Sequence, residues 1–267
     1  MTSKVTVLRC PRCGSMDAGA VEMIAVLLHR MRCASCQYEQ IVDDHSWDER
    51  VPEAIVRADH VLPSERFAEL WRAFGAQGPW AGTFEQLRDA YGEPHRAYHT
   101  AAHLGACLRK LDEPDVRALA GNLANVEAAL WFHDAVYDTH AHDNEEASAR
   151  LAEMCLGKAS VDPARVAKIA AYVRATKSHE TADPDGHLVL DIDLSILGEA
   201  PGVFAGFEAE IQREYAWVPA AAYAVGRGAV LRGFLARPQI YATPLFRDRY
   251  EANARRNIAA SLEQLAV

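Results

Sequence analysis

Imidazole and carboxylate are the side-chain pair that holds a catalytic divalent cation, and this chain sets them side by side at His133-Asp134, within the apolar stretch Val126 to Tyr137. Val126, Leu130, His133 and Val136 or Tyr137 recur at helical spacing, which places His133 on the buried stripe of a helix with Asp134 about 100° around it. A lone buried imidazole is most simply a core residue bonded to a carbonyl. An adjacent carboxylate changes that balance, because an unpaired buried Asp is costly and coordination to a cation removes the cost. His99, at the end of Arg96-Ala97-Tyr98-His99, has His103 one turn on along the same face, and Asp193 downstream can complete the set. The expected chemistry is hydrolysis by a metal-activated water.

Helices must carry these side chains, and start and stop signals outline them. Ser64 opens one ending near Gly75; Thr83 with Gln86 forms a capping box for one ending near Gly92; Pro94 can open the helix bearing His99. Asp143 with Glu146 caps a helix that stops near Gly157, and Asp162-Pro163 starts the next, to about Thr176. Pro201 to Val218, Pro219 to Arg237 and Pro244 to Leu265 supply three more, and no alternating strand series interrupts them, so this part of the chain is predicted to be all-α. Trp71, Phe74, Trp80 and Phe84 fit a core better than a base-stacking platform. Arg247, Arg249, Arg255 and Arg256 alternate with Asp248 and Glu251, the pattern of a solvated helix face.

The first 42 residues differ in kind. Cys10-Pro11-Arg12-Cys13 and Cys33-Ala34-Ser35-Cys36, separated by nineteen residues, have the spacing of a four-thiolate zinc site on two knuckles. Val21 to Arg32 between them is predicted to form hairpin strands, so residues 1–42 read as a zinc ribbon held by a structural Zn, and the polar segment after it, 43–62, reads as a linker to a helical domain over 63–267. Lys4, Arg9, Arg12, Arg30 and Arg32 outnumber Asp17, Glu22 and Glu39, but four thiolates on one divalent ion offset that excess. A structural, dimerising or substrate-gating ribbon is therefore favoured over a nucleic-acid or protein reader, although Arg30 and Arg32 keep the second reading open.

A chain of 267 residues, 50% hydrophobic, can bury a proper core, and its net charge of -9 argues against a dominant polyanion-binding surface. No apolar run reaches the length of a membrane span and no secretory leader is evident, so a cytoplasmic location is expected, with no membrane partner.

These residues resemble the HD superfamily of metal-dependent phosphohydrolases, whose motif of a first His, an adjacent His-Asp and a distant Asp is matched by His99, His133-Asp134 and Asp193. The likeness is closest to a bacterial subfamily of predicted HD phosphohydrolases, through Tyr91 to His99, Trp131 to Asp138, Asn144-Glu145 with Ser148-Ala149, Asp191 to Gly198, and Arg213-Glu214-Tyr215. It covers the chain from about Pro63 onward and leaves the ribbon outside. The resemblance implies four ligands, His99, His133, Asp134 and Asp193, for one divalent ion among Mn, Fe, Co, Ni, Zn and Mg, and hydrolysis of a small phosphorylated substrate such as a nucleotide. Glu145 could orient the attacking water or be an ordinary first-turn carboxylate. Lys177 could hold a phosphate oxygen or be a solvated lysine near a helix end, Arg96 could pair with a phosphate or with a helix-end carboxylate, and Asp191 reads as a helix cap or surface carboxylate. His103 and His179 could add ligands and make the site dinuclear, as in the di-iron oxygenases of the superfamily, or could simply hydrogen-bond. Cys107 and Cys155 read as buried apolar thiols. A non-catalytic adaptor, with the ribbon binding nucleic acid or protein, is a further alternative, and a homo-oligomer is compatible with everything above.

Overall fold

The computed structural model describes residues 62–265 with their side chains, and the backbone of 18–25, 28–33 and 39–43. Those backbone segments are β1 (Ala18–Ala25), β2 (Leu28–Cys33) and β3 (Glu39–Asp43), paired antiparallel in sequence order, with Glu22 opposite Arg30 and Arg30 opposite Ile41. The hairpin expected within Val21 to Arg32 is thus present as backbone pairing. The four-cysteine zinc site, with Cys10, Cys13, Cys36 and the side chain of Cys33, lies outside the described residues, as does most of the 43–62 linker.

Among the described residues from Ser64 onward, every regular element is a helix. The helices are α1 (Ser64–Ala73), α2 (Ala81–Tyr91), α3 (Ala101–Asp112), α4 (Leu123–Phe132), α5 (Asn144–Lys158), α6 (Pro163–Ala175), α7 (Pro184–Asp193), α8 (Pro201–Glu214), α9 (Ala220–Ala236) and α10 (Ala252–Leu265), with short turns of helix at Pro114–Arg117, Leu194–Gly198, Pro244–Phe246 and Arg247–Glu251. Among the described residues no helix is long and apolar enough to cross a membrane.

α4 is the axis of the fold. From Asn125 to Phe132 every residue is buried, so this helix is enclosed on all sides. Phe67, Phe84 and Trp131 meet with ring centroids 5.0–6.2 Å apart and Trp71 joins them, which makes the predicted aromatic cluster core. α7 runs beside α4. Its first-turn Asp185 accepts the backbone N–H of Gly121 and Asn122 at the start of α4, so the two helices begin together, run in the same direction and end together, at His133 and Asp193. The first turn of α3 meets those two ends.

Some boundaries differ from expectation. Thr83 is not a cap, because α2 starts two residues earlier at Ala81 after Trp80. Pro94 opens no helix: residues 92–100 form turns, and His99 stands just before the N-cap Thr100, whose hydroxyl accepts the N–H of Ala102. The reason is a buried carboxylate described below, which captures three consecutive N–H groups there. Asp162 does cap α6, through Arg165.

The turn after Asp193 is packed backbone to backbone. A Cβ placed on Gly198 would lie 2.5–2.8 Å from Tyr250 Cβ, O and Cα. Gly198→Ala is therefore expected to destabilise the protein by about 1–3 kcal/mol through overpacking, measured by denaturant unfolding. A neutral effect would mean that the two turns part freely.

Candidate metal centre

Three helix ends bring four donor atoms together. His103 sits in the first turn of α3, His133 follows the last residue of α4, Asp134 lies in the turn beyond, and Asp193 ends α7. His103 Nε2 is 3.0 Å from His133 Nε2, 3.2 Å from Asp193 Oδ1 and 3.5 Å from Asp134 Oδ2. His133 Nε2 is 3.0 Å from Asp134 Oδ2 and 3.6 Å from Asp193 Oδ1. Donors that share one ion at about 2.1 Å stand roughly 3.0 Å apart at an octahedral right angle and roughly 3.4 Å apart in a tetrahedron, so these separations fit a single cation. Two C-terminal helix ends at the site add the negative end of the macrodipole.

The protonation pattern says the same thing in another form. Burial alone would push His133 down, but Asp134 and Asp193 outweigh it and hold its pKa well above the ordinary imidazole value. Burial would push the two carboxyls up, yet the imidazoles around Asp134 and Asp193 draw both below the carboxylate range. A pair of buried carboxylates needs positive charge nearby, supplied either by protons on the imidazoles or by a metal ion. His133 Nδ1 lies 2.8 Å from the carbonyl of Leu130, which fixes the proton there and leaves Nε2 for an ion.

His103, Cys107, His133 and Asp193 form a group, mostly buried, whose donor atoms all lie within 4.8 Å of one another, and this group could bind a metal ion. Cys107 is buried, as its apolar setting in the sequence suggests, but it also stands among these donors, and the signal for that is its spacing of four from His103 on the same helix. Its Sγ is 3.9 and 3.8 Å from the two ring nitrogens of His103, nearly equidistant, hence off the line of the Nε2 lone pair. Burial, with Asp193 and Asp134 adding to it, raises the thiol pKa well above its usual value. Asp134 Oδ2, 3.0 Å from His133 Nε2, offers a carboxylate donor beside that group.

His99, a ligand by the resemblance, is not in that group. Its Nδ1 is 2.7 Å from Glu214 Oε2, and among the described residues its other ring nitrogen has no hydrogen-bond partner. Glu214, the last residue of α8, is the residue that sequence reasoning missed, although it stood inside the motif Arg213-Glu214-Tyr215. Its Oε1 accepts the backbone N–H of Ala97, Tyr98 and His99 at 2.8–2.9 Å, and its Oε2 also accepts the hydroxyl of Tyr137 at 2.8 Å. Burial opposes the charge of Glu214, but His99 and those N–H groups prevail and lower its pKa to about 2. Burial likewise opposes protonation of His99, and Asp134, Glu214 and Asp193 together raise its pKa.

Arg96 is occupied elsewhere. Its guanidinium binds Glu93 and the carbonyls of His99, Asp134 and Ala135, and packs over Tyr91 and Tyr137. It clamps the His99 turn to the turn carrying Asp134 and has no donors left for phosphate. Arg96→Ala is expected to cost about 3–5 kcal/mol, as for one partner removed from a buried ionic network, with Arg96→Lys recovering only part; urea denaturation reads both. Wild-type stability of Arg96→Ala would contradict that role.

The other candidates are spread around the rim. His179 has a left-handed backbone (φ 52°) and its Nε2 is 3.4 Å from Asp193 Oδ2, the oxygen turned away from His103. Arg237 holds that backbone by binding the carbonyls of Ser178 and His179. Lys177 donates to the carbonyl of His142. Glu145, half-buried in the first turn of α5, reaches the neighbourhood of Tyr215 and is not among the converging donors. Asp191 is neither a helix cap nor on the surface: buried, it accepts the N–H of Ala242 and Thr243.

Comparison with protein-family models, with curated proteins and with solved structures finds no match to this chain.

Proposed function

We propose that this chain is a metal-dependent phosphohydrolase of the HD type, carrying a zinc ribbon on Cys10, Cys13, Cys33 and Cys36, and that it cleaves a phosphate ester or anhydride of a nucleotide or another small metabolite. The observation that carries the reading is that His103 Nε2 and His133 Nε2 stand 3.0 Å apart and each lies 3.0–3.6 Å from both Asp134 Oδ2 and Asp193 Oδ1. His103, Asp134, Asp193 and His133 would hold the divalent ion, with Cys107 behind them. Bound there, the ion supplies a nucleophilic water at neutral pH and offsets the charge of a phosphoryl group.

The remaining chemistry belongs to the chain itself. His99 would serve in proton delivery instead of metal ligation: Glu214 fixes one ring nitrogen and, with Asp134, raises the imidazole pKa, and the other nitrogen can give a proton to a departing oxygen. Tyr137, bonded to the same carboxylate and stacked on His99 at 4.2 Å, fixes the plane of that ring.

Phosphate release from a panel of nucleotides and sugar phosphates, with Mn²⁺ or Co²⁺ added, tests the proposal. Release is expected and should disappear in His133→Ala. A second reading draws on His179, whose Nε2 lies 3.4 Å from the outer oxygen of Asp193: these two residues would help hold a second ion, as a di-iron oxygenase needs. Oxygen consumption by iron-loaded protein, with no phosphate released from any substrate, would replace the first reading with the second.

A further inference from the structure

A cavity of about 820 Å³ is lined by Ala135, next to Asp134 in the chain, and by Tyr137 and Glu214, the two residues that hold His99. Trp217, 52% exposed, lines this cavity. Its indole stacks on His140 with centroids 4.0 Å apart and planes 16° from parallel, and its Nε1 donates to Thr139 Oγ1 at 2.8 Å. The ring is thus held by both stacking and a hydrogen bond while much of it stays open to solvent, which suits a platform for another flat ring. His95 and Tyr137, nearly coplanar in orientation at 6°, add further flat surface to the lining.

The polar lining has one sign. Among the described residues no Lys or Arg lines the cavity, whereas Asp89, Glu93 and Asp138 do. Each spends one oxygen on a neighbour, Asp89 on Arg88, Glu93 on Arg96 and Asp138 on His140, and the second oxygen of each has no hydrogen bond to a described residue. Such a lining accepts hydrogen bonds and repels a phosphate.

We infer that this cavity takes the leaving group of the substrate, a heterocycle bearing exocyclic amino groups such as an adenine- or cytosine-type base, stacked on Trp217 with its N–H groups toward the free carboxylate oxygens. The inference rests on the phosphohydrolase reading for the place of the phosphate, which the carboxylates turn away from the cavity and toward the metal centre. His99, stacked on Tyr137, stands at the boundary between the two. There the phosphorus–oxygen bond to the ring-bearing group breaks, the oxygen of water bonds to phosphorus, and the departing oxygen takes the proton of His99, which the proton lost by water replaces.

Calorimetric titration of the full chain with adenosine and with inosine, which has a carbonyl where adenosine has its amino group, tests ring binding apart from turnover. Adenosine is expected to bind with or without Mn²⁺, more tightly than inosine. Trp217→Ala should weaken adenosine about tenfold or more, within the range for loss of one stacked aromatic, and Trp217→Phe should restore most of the affinity. No heat with millimolar adenosine, equal binding of inosine, or adenosine affinity indifferent to Trp217→Ala would overturn the inference. Adenosine binding as described in a protein that hydrolyses no phosphoester would support the ring cavity and count against the hydrolase instead.

Discussion

Asp134→Ala is expected to strip the helical domain of its divalent ion and to lower phosphohydrolase turnover by at least about 10³-fold, because a catalytic metal supplies several kcal/mol of transition-state stabilisation. His133→Ala should do the same, since Asp134 Oδ2 and His133 Nε2 stand 3.0 Å apart and would share the ion. The two losses should not add, because either one already empties the site. Folding should survive in Asp134→Ala, whose side chain is partly exposed, more readily than in the fully buried His133→Ala. Metal content by mass spectrometry separates the effects: the helical-domain ion is lost while zinc on the cysteines stays. Turnover retained in both variants would refute the catalytic assignment whatever the metal content.

Glu214 offers the second large effect. Glu214→Ala removes the acceptor of three backbone N–H groups, the Tyr137 hydroxyl and His99 Nδ1, and each orphaned buried donor costs about 1–3 kcal/mol, so this variant should be destabilised by several kcal/mol. Glu214→Gln keeps an acceptor oxygen and removes the charge. It should fold, with kcat lowered roughly 10²-fold in line with the loss of a general acid. The two pH dependences have opposite signs. The carboxyl of Glu214 is lowered to about 2 in the folded chain from an ordinary 4.5, so its contribution, on the order of 3 kcal/mol, is complete above pH 4.5 and is lost as pH falls toward 2. Wild type and Glu214→Gln should therefore converge in stability over that acid range. His99 has a raised pKa, so its contribution is complete below the ordinary imidazole value and fades as pH rises through the folded one. A bound cation would cancel part of what Asp134 and Asp193 give His99 and leave Glu214 as its main support. The alkaline limb of kcat should accordingly move to lower pH in Glu214→Gln, and an unmoved limb would mean that His99 does not deliver the proton.

Much of this was legible in the residues themselves. Helical periodicity, proline starts and the absence of alternating strands give the all-α body from Ser64 onward, because the hydrophobic pattern and the cap residues act within a turn or two of where they stand. The adjacency of His133 and Asp134 is likewise local, and it marked the site. What lay beyond local reading was which imidazole joins them. His99 and His103 are one turn apart in sequence and chemically alike, and the choice between them is made by Glu214, more than 100 residues away, whose carboxylate pulls 97–99 out of a helix and binds His99. The same applies to Arg96, whose donors are consumed by carbonyls of the Asp134 turn, and to Asp191, whose partners are the N–H groups of Ala242 and Thr243. Sequence determined the kinds of donor and the helices that bear them; only the packing of α3, α4, α7 and α8 decided which donors meet, because hydrogen bonds and ion contacts depend on distances of about 3 Å that no spacing along a single helix can set.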